Sequence, residues 1–554
     1  MIAAILVAGL GCLILGYFVY GRFLDRALGM DPDRPTPAHQ LRDNIDFVPS
    51  KPAILLGHHF SSIAGAGPIV GPVIAAAAFG WLPAVIWVVF GSIFIGGVQD
   101  YGSLIASLRH RARSVAELAR EEISPLARTL FLLFVWFALV YVVVVFTDLT
   151  ATTFAEDPGV ASSSAMYVAL AVALGLMVYR LGVGLGRASL LLVPLVFVGI
   201  YAGQQLPLPL PVEDPRRWWS MILLAYCLLA SVLPVWLLLQ PRDYLSSFLL
   251  YVCVGGGVIG VLLGGGRIAP GTETLPALLS FKDANLGLLF PAMFITIACG
   301  ACSGFHSIVA SGTTARQISS ERHARPVAYG AMLLEAVLAL LAVGAVLLVG
   351  PTVARGQAPT VVFGSAIGKF FGVFGLPPAL GGHFGALAVS TFLLTTLDTC
   401  TRLGRYTLEE LLRLPKGKPA VMVAATILTL ALPLVMTQIT LRLPDGTPAA
   451  AWRVIWPVFG ATNQLLGALA LLAVTAWLRN SGRRWAFAAW PMAFMSTVTL
   501  IALAQLVWRY GPASLVGGIA TALFILAVIL IVETGRRLAA ARATSRAGAR
   551  LDPV

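Results

Sequence analysis

Residues 57–72, GHHFSSIAGAGPIVGP, crowd two histidines, two serines and two glycine-proline breaks into a stretch otherwise apolar enough to span a membrane. Imidazole titrates near neutrality, so His58 and His59 could take up and release a proton. Ser61 and Ser62 offer hydroxyls. Gly65 and Gly67 open the backbone, and amides at the start of a half-helix favour a carboxylate. The plainer alternatives are a histidine pair that holds the break in shape by bonding nearby backbone, and glycines that let helices pack closely. Freed backbone groups in hydrocarbon cost several kcal/mol each unless satisfied, so the segment is expected to be a discontinuous helix beside a polar, hydrated cavity.

A second polar stripe lies in the apolar run 286–312, where Ser303, His306, Ser307 and Ser311 recur at helical spacing and suggest a cavity wall. Cys299 and Cys302 precede it, and Cys302 and His306 are spaced to place two ligands on one metal. Small thiols packed in a helix explain the same pattern, and the expectation is no bound metal and no cofactor. Acids inside spans are functional candidates because burying them is expensive. Asp100 could pair with Arg109 or with the broken helix, Glu335 could carry a proton or partner a buried polar group, and Asp398 could form a helix-end pair with Arg402. His58, His59, Asp100, Glu335 and Asp398 are thus the candidate proton-coupling groups. His58, His59, Ser61, Ser62, Gly65, Gly67, Gln240, Ser303, His306 and Ser307 are the candidate substrate-binding set. Asn463 and Gln464 read as cross-links between helices.

These residues must be held by a membrane bundle. The chain of 554 residues is 58% hydrophobic and only 11% charged, against about 25% charged in soluble domains. Fifteen apolar runs are long enough to cross: about 2–20, 53–78, 81–105, 127–147, 161–179, 188–205, 219–239, 244–263, 286–312, 327–350, 379–400, 419–438, 455–477, 485–508 and 512–533. The first run lacks a basic start and a cleavage site, which argues against a removable signal. A net charge of +13 invites a nucleic-acid reading, but the basic residues sort by alternate loops instead. One side gathers Arg22 to Lys51, Arg109 to Arg120, Arg180, Arg187, Arg242, Arg316 to Arg325, Arg402 to Lys418, Arg479 to Arg484 and the tail from Arg536 to Arg550. The other holds Arg267, Lys282, Arg355 and the acidic or proline-rich stretches 148–158 and 206–215. The positive-inside rule then places the N-terminus outside and the C-terminus in the cytoplasm. The six cysteines lie in or at the ends of spans and read as buried thiols, not a disulfide framework.

The run 219–239, five spans beyond the first broken one, is interrupted at Pro234 and has the opposite orientation, as two inverted five-helix repeats would give. The expected fold is an all-α polytopic membrane protein of about 15 transmembrane helices, with a LeuT-like core of two inverted repeats, about 53–205 and 219–400, containing discontinuous helices. Residues 1–52 form an N-terminal helix and cytoplasmic loop, 53–400 the core, 401–533 additional helices, and 534–554 a basic cytoplasmic tail.

The blocks GHHFSSIAGAGPIVGP, GWLPAVIW, GGVQDYGSLIASLRHRARS, CSGFHSIVASGTTARQ, TTLDTCTRLGRYTLEELL and WPVFGATNQLLGALAL, in that order from about 57 to 470, resemble the signature segments of the carbon starvation protein A family. The resemblance implies a secondary active transporter of the bacterial inner membrane, related to the amino acid-polyamine-organocation superfamily. It implies uptake of pyruvate or peptides, with a proton as the coupling ion, membrane lipid as surroundings, and no nucleic-acid partner or enzymatic activity. The C-terminal part beyond about 480 resembles the family least. An intramembrane metal or redox protein built on the Cys/His cluster, or a transporter-like nutrient sensor, stands as the alternative. Oligomeric state is not legible.

Overall fold

The computed structural model describes residues 1–43, 47–234, 236–264, 275–415, 418–443 and 446–548. Arg267, Lys416 and the tail beyond 548 therefore lie outside the described residues. The architecture is all-α, with two short hairpins (Lys282–Asp283 with Gly287–Leu288, Leu441–Arg442 with Pro448–Ala449) in connections between helices.

Helix α1 (Ile2–Leu28) packs on the outside of the bundle. The first interrupted helix follows as α2 (Pro52–Ile63) and α3 (Gly67–Phe79), bent by 47°. Next come α4 (Trp81–Arg109), with a π-helical turn at Ser92–Gly96, the short α5 (Val115–Glu122) and the long α6 (Pro125–Glu156). The hairpin α7 (Pro158–Tyr179) and α8 (Leu185–Gln205) precedes α9 (Pro215–Val232) and α10 (Leu239–Gly264). The second interrupted helix is α11 (Leu289–Thr296) and α12 (Gly304–Gly312). It leads into α13 (Glu321–Val349), α14 (Pro351–Gly356) and α15 (Pro359–Phe371). The chain ends with α16 (Pro378–Leu411), α17 (Pro419–Gln438), α18 (Ala451–Asn480), α19 (Ala486–Tyr510) and α20 (Leu515–Gly548).

Each of the fifteen expected runs coincides with a helix or an interrupted pair, but the count of fifteen crossings is not confirmed. Among the described residues, twelve helices are long and apolar enough to cross a membrane, thirteen with the bent pair α2–α3. α9 and the pair α11–α12 fall short of that measure. The expected break at Pro234 is not a break within a span. Leu233, the residue before proline, is extended (ψ 152°) and ends α9, so Pro234 lies between two helices. The interruption that faces the first one is at 297–303, where Gly300 takes a φ of +86°.

The charge sorting also needs correction. Arg242, Arg402 and Arg405 are buried inside α10 and α16 and do not belong to loops. The acidic stretch from 148 is helical, with Asp148 buried in α6. Of the six free cysteines, Cys12 is exposed on α1 and Cys299 is half-buried, while the other four are buried.

The long helices α6 and α16 pack together at the centre, and α18, buried along nearly its whole length, lies against α6, α4 and α12. α10 lies in the same way against α16 and α2. α5 packs on α6 and α18, and α15 packs on α16 and α10. The expected core boundary at 400 thus falls inside α16, and α18 beyond it is central.

The second interruption is held from three sides. Glycines of α3, α4 and α18 come directly onto its backbone: an added Cβ would stand 2.4 Å from Thr296 O at Gly71, 2.4 Å from Ala301 O at Gly96 and 1.9 Å from Ile295 O at Gly460. The indole N–H groups of Trp87 and Trp456 donate to Ile297 O (3.0 Å) and Thr296 O (3.2 Å), carbonyls that the helix break leaves without an intrahelical donor. At the start of α12, Asn463 Oδ1 accepts from Phe305 N and Ser303 Oγ, each at 3.2 Å.

The two ends of the bundle are fastened by ions. At one end Glu321 binds Arg109 and accepts from Asp31 N (2.8 Å), Arg325 pairs with Asp25 (2.7 Å), and Arg128 bridges Glu117 (2.5 Å) and Glu410 (2.6 Å). At the other, Arg355 donates to Ala77 O (2.9 Å) and pairs with Asp283 (3.4 Å), Arg216 holds Asp148 (2.5 Å), and His383 meets Asp157 (3.1 Å).

Two outcomes are expected. Gly460→Ala forces α18 off α11 and lowers the melting temperature, since overpacking costs about 1–3 kcal/mol, whereas Gly11→Ala, with nothing within 4 Å, leaves it unchanged. Asn463→Leu strands the Ser303 hydroxyl and lowers stability by about 1–3 kcal/mol. Thermal unfolding in detergent measures both.

Candidate proton and substrate site

Asp100 comes from the half of α4 beyond its π turn, Glu335 from the middle of α13, and His306 from the first turn of α12. The three elements meet so that the imidazole lies between two carboxylates. His306 Nδ1 is 2.9 Å from Asp100 Oδ2, within hydrogen-bond geometry. His306 Nε2 is 3.1 Å from Glu335 Oε2, close enough for an ion pair but off the line of a hydrogen bond. All three side chains are fully buried.

The interrupted backbone lies beside them. Gln99, next to Asp100, donates from Nε2 to Ser303 O at 2.6 Å. Asn463 Nδ2 donates to Ser303 Oγ (3.1 Å) and Cys299 Sγ (3.3 Å). On the first interrupted helix, His59 is fully buried, with Nδ1 2.7 Å from Thr314 Oγ1 just beyond α12. Around these segments Asp100 Oδ1, Gln99 Oε1, Ser103 Oγ, Thr296 Oγ1, His59 Nε2 and both Glu335 oxygens are buried without a hydrogen-bond partner in the protein. Buried polar atoms are nearly always paired, so this concentration calls for a polar guest or water.

The sequence-derived candidates divide accordingly. Asp100, His306 and Glu335 come together, with Ser303 on the same break. Asp100 does not pair with Arg109, which goes to Glu321. Ser61 and Ser62 turn back to the carbonyl of His58 (3.2 and 2.7 Å), and Ser307 to that of Gly304 (2.7 Å), so their hydroxyls are engaged by their own helices. Gly65 abuts Thr396 of α16 and Gly67 abuts Cys299, so at both glycines the backbone of the first break is packed directly against a neighbouring side chain. Gln240 stands apart: it is exposed and accepts from Tyr179 (3.0 Å), because it falls on the outer face of the first turn of α10. Asp398 is also separate. It binds Arg242 and accepts from Tyr226 (2.8 Å), while Arg402, its expected partner, donates to Ala230 O (2.5 Å) and Leu233 O (2.7 Å) at the end of α9.

His306 points its ring nitrogens at Asp100 and Glu335. Among the described residues no group of three or more His, Cys, Asp or Glu is placed to hold a metal ion. Gln99, Thr314, Arg242, Tyr226 and the two indoles were not singled out from the sequence. Gln99 adjoins Asp100, which is the one local signal for it; the others act through partners far along the chain.

The family model described as "Carbon starvation protein CstA" matches residues 1–354 and 347–502. The peptide transporter CstA of Escherichia coli is 33% identical over 90% of this chain and 80% of its own length. The pyruvate/proton symporter BtsT of the same organism is 30% identical over 85% and 76%, and the peptide transporter CstA of Bacillus subtilis is 30% identical over 84% of each. Among solved structures, a manganese transporter of Eremococcus coleocola aligns over 87% of this chain and 96% of its own, at 13% identity and a TM-score of 0.42. By the reach of the family model and of these relatives, this chain belongs to the carbon starvation protein CstA family.

Proposed function

We propose that this multi-pass membrane transporter imports a small carboxylate such as pyruvate, or short peptides, together with a proton, by alternating access around the two facing interruptions. Its relatives carry transport names and not enzyme names. The observation that carries the coupling is the buried Asp100–His306–Glu335 cluster, which joins two continuous helices to the half-helix α12. A proton moved from imidazole to carboxylate weakens the charge-assisted contacts that fix α12 against α4 and α13. Occupancy of the proton therefore biases where the half-helix lies, which is what coupling requires. A substrate carboxylate would be met beside the two breaks, toward the positive ends of the α3 and α12 dipoles.

The packing pattern supports two repeats, with revised limits: α2–α3, α4, α6, α9 and α10 against α11–α12, α13, α16, α17 and α18, the hairpin α7–α8 being an insertion in the first. With the basic ends inward, the N-terminus lies outside and the C-terminus in the cytoplasm of a bacterial inner membrane. Opening to either side then requires release of the Glu321–Arg109 fastening or the Arg355–Asp283 fastening.

Uptake of radiolabelled pyruvate or peptide into proteoliposomes should follow an inward proton gradient and not a sodium gradient. Glu335→Gln and His306→Ala should reduce gradient-driven uptake to the level of empty liposomes while the purified proteins melt cooperatively; wild-type uptake in both would remove the assignment. Pyruvate or a peptide at 100 times its Kd should stabilise the folded protein by about 2.7 kcal/mol, read as a raised melting temperature, and a broad panel with no shift counts against these substrates.

A further inference from the structure

Arg242 is, with Arg405, one of the two largest fully buried side chains of the described residues, and its surroundings resemble the coordination shell of an ion. The guanidinium meets five oxygens: Asp398 Oδ2, Leu394 O at 3.2 Å, Thr395 O at 3.1 Å, Tyr226 Oη at 2.9 Å and Asp243 Oδ1 at 3.4 Å. Leu394 and Thr395 lie within α16, so their carbonyls serve Arg242 from the side of a continuous helix. Tyr226 also donates to Asp398 Oδ2 at 2.8 Å, fixing the carboxylate, and Tyr167 donates to Arg242 O at 2.6 Å, fixing the backbone that carries the cation. Asp398 Oδ1 is buried without a partner.

Backbone carbonyls, a phenol and carboxylates form a hard, all-oxygen donor set, the kind that replaces the hydration shell of an alkali cation. The cluster adjoins the first interruption, since Gly65 abuts Thr396, the residue after Thr395. We infer that this is a monovalent-cation site filled by a tethered cation, and that removing the Arg242 side chain opens it to sodium. A covalently attached guanidinium keeps α10 and α16 bridged beside the break at any sodium concentration, so the wild-type protein needs no such ion there. This goes beyond the proton-coupled reading and stands on different residues, so either can fail alone.

The test compares the full-length wild type, Arg242→Ala, Arg242→Lys and the double variant R242A/D398N, melted in sodium chloride, potassium chloride or N-methyl-D-glucamine chloride at equal ionic strength. Wild type and R242K, whose tethered ammonium still fills the shell, should melt alike in all three, within about 1 °C. R242A should melt lower in N-methyl-D-glucamine and rise by about 3 °C or more in sodium, as a ligand bound only to the folded state requires. The rise should vanish in R242A/D398N. A sodium response in R242A no larger than in wild type, or one retained in the double variant, overturns the inference. Where R242A does not survive purification, its folded yield in membranes from cells grown in high and low sodium is the readout. A higher yield in sodium supports the site, and equal yields overturn it.

Discussion

A helix that stops inside hydrocarbon leaves backbone groups that lipid cannot satisfy, and this requirement organises the centre of the bundle. At the second interruption the carbonyls of Thr296 and Ile297 are met by two indoles from different helices, α18 and α4, and the start of α12 is met by Asn463, also of α18. Such donors reach the backbone only if the helices that bring them approach closely, and Gly71, Gly96 and Gly460 make that approach possible. Small residues at the contact and polar side chains across it are one solution to one problem.

With the breaks stabilised, charge can be buried beside them in two chemically distinct ways. On one side an imidazole between two carboxylates can exchange protons, because each group has a neutral form. On the other, Arg242 is a permanent cation, bound to Asp398 and to backbone oxygens of α16. Removing one partner of a buried ion pair typically costs about 3–5 kcal/mol, so the Arg242 cluster behaves as a fixed joint, while the His306 cluster has alternatives open to it. The sequence places these centres on separate elements that meet at the two breaks.

The membrane setting and nearly all helix positions were legible because they rest on long apolar runs, and the first break was legible because Gly-Ala-Gly-Pro admits few other readings. The second was not. Pro234 gives a stronger local signal than CGACSG, but proline also ends helices, and Leu233 shows that this is its role. Hydropathy similarly assigned Arg242, Arg402 and Arg405 to loops, since a window reads a buried charge as an interruption. Individual roles followed the same division: Asp100, His306 and Glu335 were recognisable as costly or titratable groups, but their meeting depends on contacts across more than 200 positions of chain. Gln240 and Asp398 illustrate the converse: a glutamine in the first turn of α10 faces outward, and an acid expected at a helix end lies inside α16 and answers a distant arginine.

The absence of any side chain between Gly460 and Ile295 has a mechanical meaning. Two helices separated by a layer of side chains can slide as rotamers rearrange, whereas carbonyl against glycine leaves no deformable padding. α11 and α18 are therefore expected to travel as one slab. The same contact recurs at the start of α12, where a Cβ on Gly304 would stand 2.4 Å from Asn463 O, so α18 grips both halves of the interrupted helix without padding.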